Sequence, residues 1–297
     1  MLFRSIPLVV RGVTTSGRVL NVTEVTCRSL DVAVLNAAND CSNVFVNGSE
    51  TSGSAKAIIE VSLRNLTTNV SFVVWAPKIP ISLSVTPAKL RRIRDWYDPN
   101  DSCKSRYQHA RVKGRADFSN GKEWFTGVDV TQHVKGNLRS TNTSVAEIVG
   151  LNVHGKNIGT ATVKVYIPGL GRTVADVVIE VIDEDTRVYL LDAIVATRVF
   201  FALPKSLNSS LKHNVNPHVY ETFSIPEDEG SVVVSVQYSD GTVNTFYDLR
   251  GFYINSTNNS ALEVQAGRVS AVNNKSGNLL HVKIGRASCT ERVYVLV

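Results

Sequence analysis

Scarcity is informative in this chain of 297 residues: it holds one methionine, four cysteines and no apolar run approaching ~20 residues. Without such a run, nothing in the sequence is long enough to cross a bilayer as a helix. The lone Met against many Val, Thr, Ser and Asn disfavours helices, because branched side chains lose rotamer freedom there and fit a pleated sheet instead. Gly-x-Ser-x-Gly, a P-loop and His-Glu-x-x-His are all missing, and Gly169-Leu-Gly171 reads as a hairpin turn, not a phosphate cradle. No Cys-x-x-Cys or paired histidines at ligand spacing suggest zinc. The net charge of +6 comes from scattered charges, so a pI near 9.1 does not by itself indicate a nucleic-acid partner. What remains is 43% apolar content, enough for real cores and too much for a disordered chain.

Asn-x-Ser/Thr triplets are abundant. Ten occur, at Asn21, Asn47, Asn65, Asn69, Asn100, Asn142, Asn208, Asn255, Asn258 and Asn274, where random placement of these residues gives about 4. The excess points to the secretory pathway, with Asn255 and Asn258 too close together for both to be expected to carry glycan. Cys27 and Cys41 bracket a segment short enough for a bridge between neighbouring strands, and we predict that pair. Cys103 and Cys289 are free, paired with each other, or paired with a segment outside this sequence. The N-terminal apolar stretch Ile6–Val10 is short, broken by Pro7, and lacks a cleavage site. Sequons without a leader lead us to expect an excerpt of a longer secreted or membrane-anchored protein.

Period-two alternation assigns strands along the whole chain. Ala161, Val163, Val165 and Ile167 share one face. The same pattern holds for Ile59–Leu63, Ala175–Val181, Val232–Tyr238 and Leu280–Ile284. Helical spacing is confined to Ala88–Trp96, where Leu90 and Ile93 are three apart; one or two turns of surface helix are expected there. Asn47-Gly48, Asn120-Gly121, Pro168-Gly169 and Asp240-Gly241 mark hairpins. Repeats are visible: Phe118–Gly121 resembles Tyr238–Gly241, Ser140–Ser144 resembles Ser256–Ser260, and a fainter copy runs from Ser29 to Leu63. The reading is all-β, three tandem immunoglobulin-like β-sandwiches of bacterial type at residues 1–78, 79–185 and 186–297, joined as a semi-rigid rod.

Candidate sites are few. His213 and His218 fit no standard metal spacing. Asp183-Glu184-Asp185, with Glu227-Asp228-Glu229 as a second donor, is a conceivable calcium bridge, but adjacent acids on a strand point in alternating directions, and a solvated linker explains them better. Lys89, Arg91, Arg92 and Arg94 form the densest basic cluster, a possible seat for sulfated glycans and more simply a charged surface. No catalytic, cofactor-binding or metal residues are assigned, and no cofactor is expected.

Several stretches together resemble the ectodomain of the transmembrane protein 132 family: Cys27, Cys41-Ser-Asn-Val-Phe-Val-Asn-Gly48, Val74-Trp-Ala-Pro-Lys-Ile-Pro80, then Leu90, Ile93 and Trp96, Tyr107-Gln-His109, Val128-Asp-Val-Thr131, Gly159-Thr-Ala-Thr162 and Tyr238-Ser-Asp-Gly241. The likeness runs in order through essentially the whole chain. It implies bacterial-type immunoglobulin-like domains outside the plasma membrane, a single span and a cytoplasmic tail beyond this sequence, and an adhesion or recognition role, often neural, with a tail linked to actin. Partners would be proteins at the cell surface, homophilic or not, with no nucleic acid and no enzymatic activity. The rivals are a passive spacer, and a carbohydrate-binding accessory module that would need coplanar exposed rings, while Trp75, Trp96 and Trp124 lie in or beside different predicted elements.

Overall fold

The structure, a computed structural model, describes residues 5–22, 24–98, 101–201, 217–220, 223, 229–265, 267–273, 279–284 and 293–294. Strands dominate, and the α-helix Thr131–Val134 is a single turn. Among the described residues no helix is long and apolar enough to cross a membrane. The chain forms two compact units, one of residues 1–88 with 110–180 and the other of residues 89–109 with 181–297.

The first unit begins with a small sandwich. Strands Thr26–Ser29, Ser54–Leu63 and Leu66–Val74 form one antiparallel sheet, and Ser5–Pro7, Asn43–Phe45 and Asn36–Ala37 form another. Alternation explains the core: Ala57, Ile59 and Val61 turn inward and pack with Val25, Val34, Leu35 and Val44. Cys27 and Cys41 are joined in a disulfide across this core, with Cα atoms 5.0 Å apart. Closing a loop of that size stabilises the fold by ~3 kcal/mol in the chain-entropy model, a useful supplement for so small a core. Farther along, Ser82–Thr86, His109–Ser119, Asn152–Gly155 and Ala146–Val149 make a further sheet, which Trp124–Asp129 and Ala76–Pro77 extend by pairing with His109–Ser119. Its companion contains Gly159–Ile167, Leu138–Ser140 and part of Arg172–Thr186. Ala161, Val163 and Val165 are buried, as their spacing predicts.

The second unit pairs Val188–Ala196 with Glu229–Tyr238, which is flanked by Val243–Phe246 and by Arg268–Ala271 and Leu262–Gln265. Phe252–Ser256, Leu280–Ile284 and Val293–Tyr294 form a separate sheet. Val232, Val234, Val236 and Tyr238 line the core against Leu191, Val269, Leu280 and Val282. Ile93 and Trp96 enter the same core from strand Lys89–Asp98, the first arm of a hairpin completed by Asp101–Tyr107.

That hairpin corrects the helix expected at Ala88–Trp96. The segment is a strand, and its three-residue rhythm of burial at Leu90, Ile93 and Trp96 comes from irregularity. The register shifts between Arg92 and Tyr97, and Asp95 takes a left-handed φ of 62°. Such a bulge breaks the period of two, so apolar residues three apart can face one core.

The repeats extend to side-chain chemistry. In each copy a serine hydroxyl accepts the amide of the residue two ahead: Ser29 from Asp31 (3.2 Å), Ser140 from Asn142 (3.3 Å) and Ser256 from Asn258 (3.1 Å). The carboxylate or amide oxygen of that second residue then accepts the next amide but one, from Ala33, Ser144 and Ser260. Stacked turns of this kind satisfy backbone donors that would otherwise be lost as the chain crosses between sheets. In the second and third copies the match goes further, since Asn157 caps the Ser144 carbonyl at 2.6 Å and Asn273 caps that of Ser260 at 2.7 Å. Asn120-Gly121 and Asp240-Gly241 turn hairpins, whereas Asn47-Gly48 lies in a loop between strands that do not pair, held by Glu50.

Candidate interaction surface

The basic cluster and the acidic run meet each other. Within the second unit Arg91 donates to Glu184 at 2.9 Å and to Asp240 at 3.2 Å, while Arg92 donates to Asp185 at 2.7 Å and lies 3.3 Å from Asp183. Arg92 holds Asp185 below the usual carboxylate range, chiefly through their hydrogen bond. Charge neutralised in this way is poorly placed to attract a sulfated glycan or a calcium ion. Among the described residues no three His, Cys, Asp or Glu side chains converge on a metal position. Glu229 pairs with Arg268 at 3.2 Å, while Glu227, Asp228 and His213, like Cys289 and the side chains of Cys103 and His218, lie outside the described residues.

A buried polar clasp adjoins these pairs. Gln108 is fully buried; its amide donates to Asp240 (3.0 Å) and Thr242 (2.6 Å), and its carbonyl accepts the Arg91 amide (3.0 Å). Beside it, buried Asn244 brackets His109, giving to its carbonyl at 2.7 Å and taking its amide at 3.1 Å. Every partner is satisfied, which makes this a rigid joint of the second unit. Burial pushes the Asp240 carboxyl up, but bonds from Thr242 and Gln108 and the charge of Arg91 outweigh it, and its pKa is lowered. Asp248 is lowered too, mainly by its hydrogen bond with Arg250. A depressed folded pKa contributes stability above the unfolded value of about 3.9 and loses it as pH falls through the folded value. We therefore expect the melting temperature of the second unit to fall as pH drops below about 4, with Asp240→Asn flattening that dependence; calorimetry from pH 7 to 2.5 measures it.

An exposed aromatic cluster lies in the first unit. Trp75 stacks on Phe125 with centroids 4.4 Å apart and planes tilted by 38°. Trp124 is 56% exposed and Phe125 45%, and Lys78 Nζ lies 5.9 Å from the Trp124 ring. Strand pairing creates this patch: Phe118 sits opposite both Phe125 and Pro77, so the Trp75–Lys78 segment and strand Trp124–Asp129 flank one strand. Behind Trp75 opens a cavity of about 420 Å³ walled by Ile79, Ile81, Phe118, Val134 and Val174, with Glu50 and His133 among its few polar groups. Glu50 is tied to the Asn47 and Gly48 amides and to Asn36, which hold its carboxyl below the ordinary value against the effect of burial. The helix Thr131–Val134 is anchored by Asp129, which accepts the Thr131 amide at 2.8 Å, and by Thr131, which accepts from Gly114 at 3.0 Å. Trp75 and Lys78 lie in the Val74–Pro80 motif and Phe118 in a repeat, whereas Phe125, fifty positions from Trp75, belongs to no periodic pattern.

Sequons fall in two settings. Asn47, Asn142 and Asn258 each accept the amide and hydroxyl of the serine two residues on. Asn21, Asn65, Asn69 and Asn255 are exposed on strands or turns. Asn100, Asn208 and Asn274 lie outside the described residues.

Comparison with known families gives two matches: the TMEM132 fourth domain to residues 3–79 and the TMEM132 fifth domain to residues 81–186, together more than half of the chain. Transmembrane protein 132A of Homo sapiens is 24% identical over 275 residues, covering 80% of this chain and 26% of that protein. The chain thus spans about a quarter of the length of this curated relative. Among solved structures, domains 4–9 of surface layer protein SbsC align with 97% of this chain and 40% of theirs, at 16% identity and a TM-score of 0.34. Invasin, a bacterial integrin-binding protein, aligns with 95% of this chain and 76% of its own, at 11% identity and a TM-score of 0.20. Scores this low carry no functional argument.

Proposed function

Because the chain belongs to the transmembrane protein 132 family, we propose that it is part of the extracellular region of a single-pass cell-surface protein and binds other proteins in adhesion or recognition. Its domains take the reading of 1–78, 79–185 and 186–297. The observation that carries the proposal is the Trp75–Phe125–Trp124 patch with Lys78. Aromatic rings are the commonest anchors of protein interfaces, since they bury large area at small entropic cost, and an exposed cluster over an apolar cavity wants a cover. The role is non-catalytic, and attachment to the membrane and to the cytoskeleton resides in segments beyond this chain. The oxidised Cys27–Cys41 pair and the sequon excess support an extracellular setting. The tilt between Trp75 and Phe125 fits a protein pocket better than a flat sugar ring.

The test uses beads coated with the whole chain, scored for clustering with one another and for attachment to cultured cells. Wild-type beads should do one or both, and Trp124→Ala with Phe125→Ala should reduce it at least about tenfold. Beads that neither cluster nor attach would favour a passive spacer, and full retention by the variant would remove the patch from the interface.

A further inference from the structure

Strand Leu66–Val74 is an edge without the usual protection. It is nine residues long, pairs on one side with Ser54–Leu63, and is the outer member of its sheet among the described residues. Leu66-Thr-Thr-Asn-Val-Ser-Phe-Val-Val74 contains no charge and no proline, and its register is regular from Leu66 to Phe72. Leu66 is 70% exposed, Val70 37% and Val73 59%. An edge of this kind is a template for pairing with another chain, and proteins normally blunt it with lysine, proline, a bulge or brevity. The opposite edge of the same sheet, Thr26–Ser29, has two such devices: it is four residues long and carries Arg28.

What the exposed edge does have is sequons. Asn65-Leu-Thr67 places an asparagine in the turn that opens the strand, and Asn69-Val-Ser71 places one at its middle. Asn69 lies opposite Glu60, which pairs with Arg28 at 2.9 Å, while the adjacent Cys27 and Val61 are buried. Alternation therefore turns Asn69 to solvent. Neither asparagine side chain is engaged in a hydrogen bond among the described residues, unlike those of Asn47, Asn142 and Asn258. Asn21 and Asn65 both line a surface groove of about 460 Å³, together with Leu63 and Leu66, so a third sequon adjoins the same edge.

We infer that Asn65 and Asn69 carry N-linked glycans whose role is to cover the open edge of strand Leu66–Val74 and prevent it from pairing with a second chain. The inference rests on the extracellular reading above. The modification transfers an oligosaccharide from a lipid-linked oligosaccharyl diphosphate: a bond forms between the asparagine Nδ2 and the anomeric carbon, the carbon–oxygen bond to the diphosphate breaks, and one amide proton leaves. A hydrated, branched glycan at mid-strand does what a charged side chain does elsewhere, since a neighbouring strand cannot approach to pairing distance, about 4.8 Å, without displacing it.

The experiment expresses the whole chain behind a secretory leader in cultured animal cells and reads glycan occupancy by peptide mass spectrometry and association by sedimentation velocity. Occupied Asn65 and Asn69 with a monomeric wild-type chain are expected. Asn65→Gln with Ser71→Ala removes both sequons without adding charge, and should raise the associated fraction at least tenfold. Asn65→Gln with Ser71→Lys removes the same sequons but puts a charge on the edge, and should stay monomeric. Three results would overturn the inference: Asn69 unmodified while other sequons are occupied, both variants as monomeric as wild type, or both associating equally, which would mean simple misfolding. Glycan on none of the ten sequons would overturn it together with the extracellular reading.

Discussion

Trp96→Ala should lower the stability of the second unit by about 3–5 kcal/mol, the usual cost of removing a buried tryptophan. The ring is 1% exposed and sits 5.5 Å from Phe246 and 5.2 Å from Phe252, with the Arg106 guanidinium 4.8 Å above it. No small movement refills that space. Arg106 is itself fixed by donating to the Arg250 carbonyl at 2.9 Å, and glycine at 251 lets it approach, because a Cβ there would fall 2.4 Å from its Nη1. Loss of the ring therefore releases the cation and the 250–251 turn as well as creating a cavity. Hydrogen exchange is the appropriate measurement. In the variant, protection should fall together in 89–98, 229–238, 243–246 and 252–256, while Ser54–Leu63 of the first unit keeps its wild-type rates. Loss confined to the hairpin, or spread evenly through both units, would contradict the assignment of Lys89–His109 to the second unit.

The second large effect is expected at Gly53. A Cβ at this position would meet the Ser119 carbonyl at 2.1 Å, the Val74 carbonyl at 2.6 Å and the Ala76 amide at 3.0 Å, all main-chain atoms. Side chains can rotate out of the way, whereas these atoms belong to the strands that build the aromatic patch. Gly53→Ala should cost about 3 kcal/mol or more, a fall of ~6–12 °C in the melting temperature of the first unit. Gly136 is the control: nothing lies within 4 Å of its added Cβ and its φ is not in the positive range, so Gly136→Ala should be neutral or slightly stabilising. Scanning calorimetry of both variants decides it. If Gly53→Ala melts with wild type, the 50–53 loop does not pack against Trp75 and Ser119 as described. Because the same displacement moves Trp75, bead attachment should weaken along with stability.

The parts legible in the sequence were those governed by a local rule. Ala161, Val163 and Val165, or Val232, Val234 and Val236, announce a half-buried strand because side chains alternate with period two. The three copies were visible because each reuses one serine-and-Asx turn, and that turn depends only on residues two apart. Leu90, Ile93 and Trp96 misled for a related reason, since a bulged strand and a short helix both put residues three apart on one side. Long-range polar pairing left no local trace. Gln108 and Asp240 are 132 positions apart, and nothing in either neighbourhood names the other. Yet Tyr107-Gln-His109 and Tyr238-Ser-Asp-Gly241, both among the motifs that carry the family resemblance, are the two sides of that clasp. In the same way Val74-Trp-Ala-Pro-Lys78 supplies Trp75 and Lys78 to the exposed patch, whereas Trp124 and Phe125 join it only through strand pairing.

The surface reading makes two opposite demands on the first unit, with the aromatic patch covered on binding and the Leu66–Val74 edge already shielded. Hydroxyl-radical footprinting of the glycosylated chain, free and then clustered on beads or attached to cells, tests both in one measurement. The account predicts that oxidation of Trp75, Trp124 and Phe125 drops on binding, while Leu66, Val70 and Val73 are oxidised slowly in both states. Unchanged oxidation of Trp124 and Phe125, with protection appearing along Leu66–Val74 instead, would contradict it.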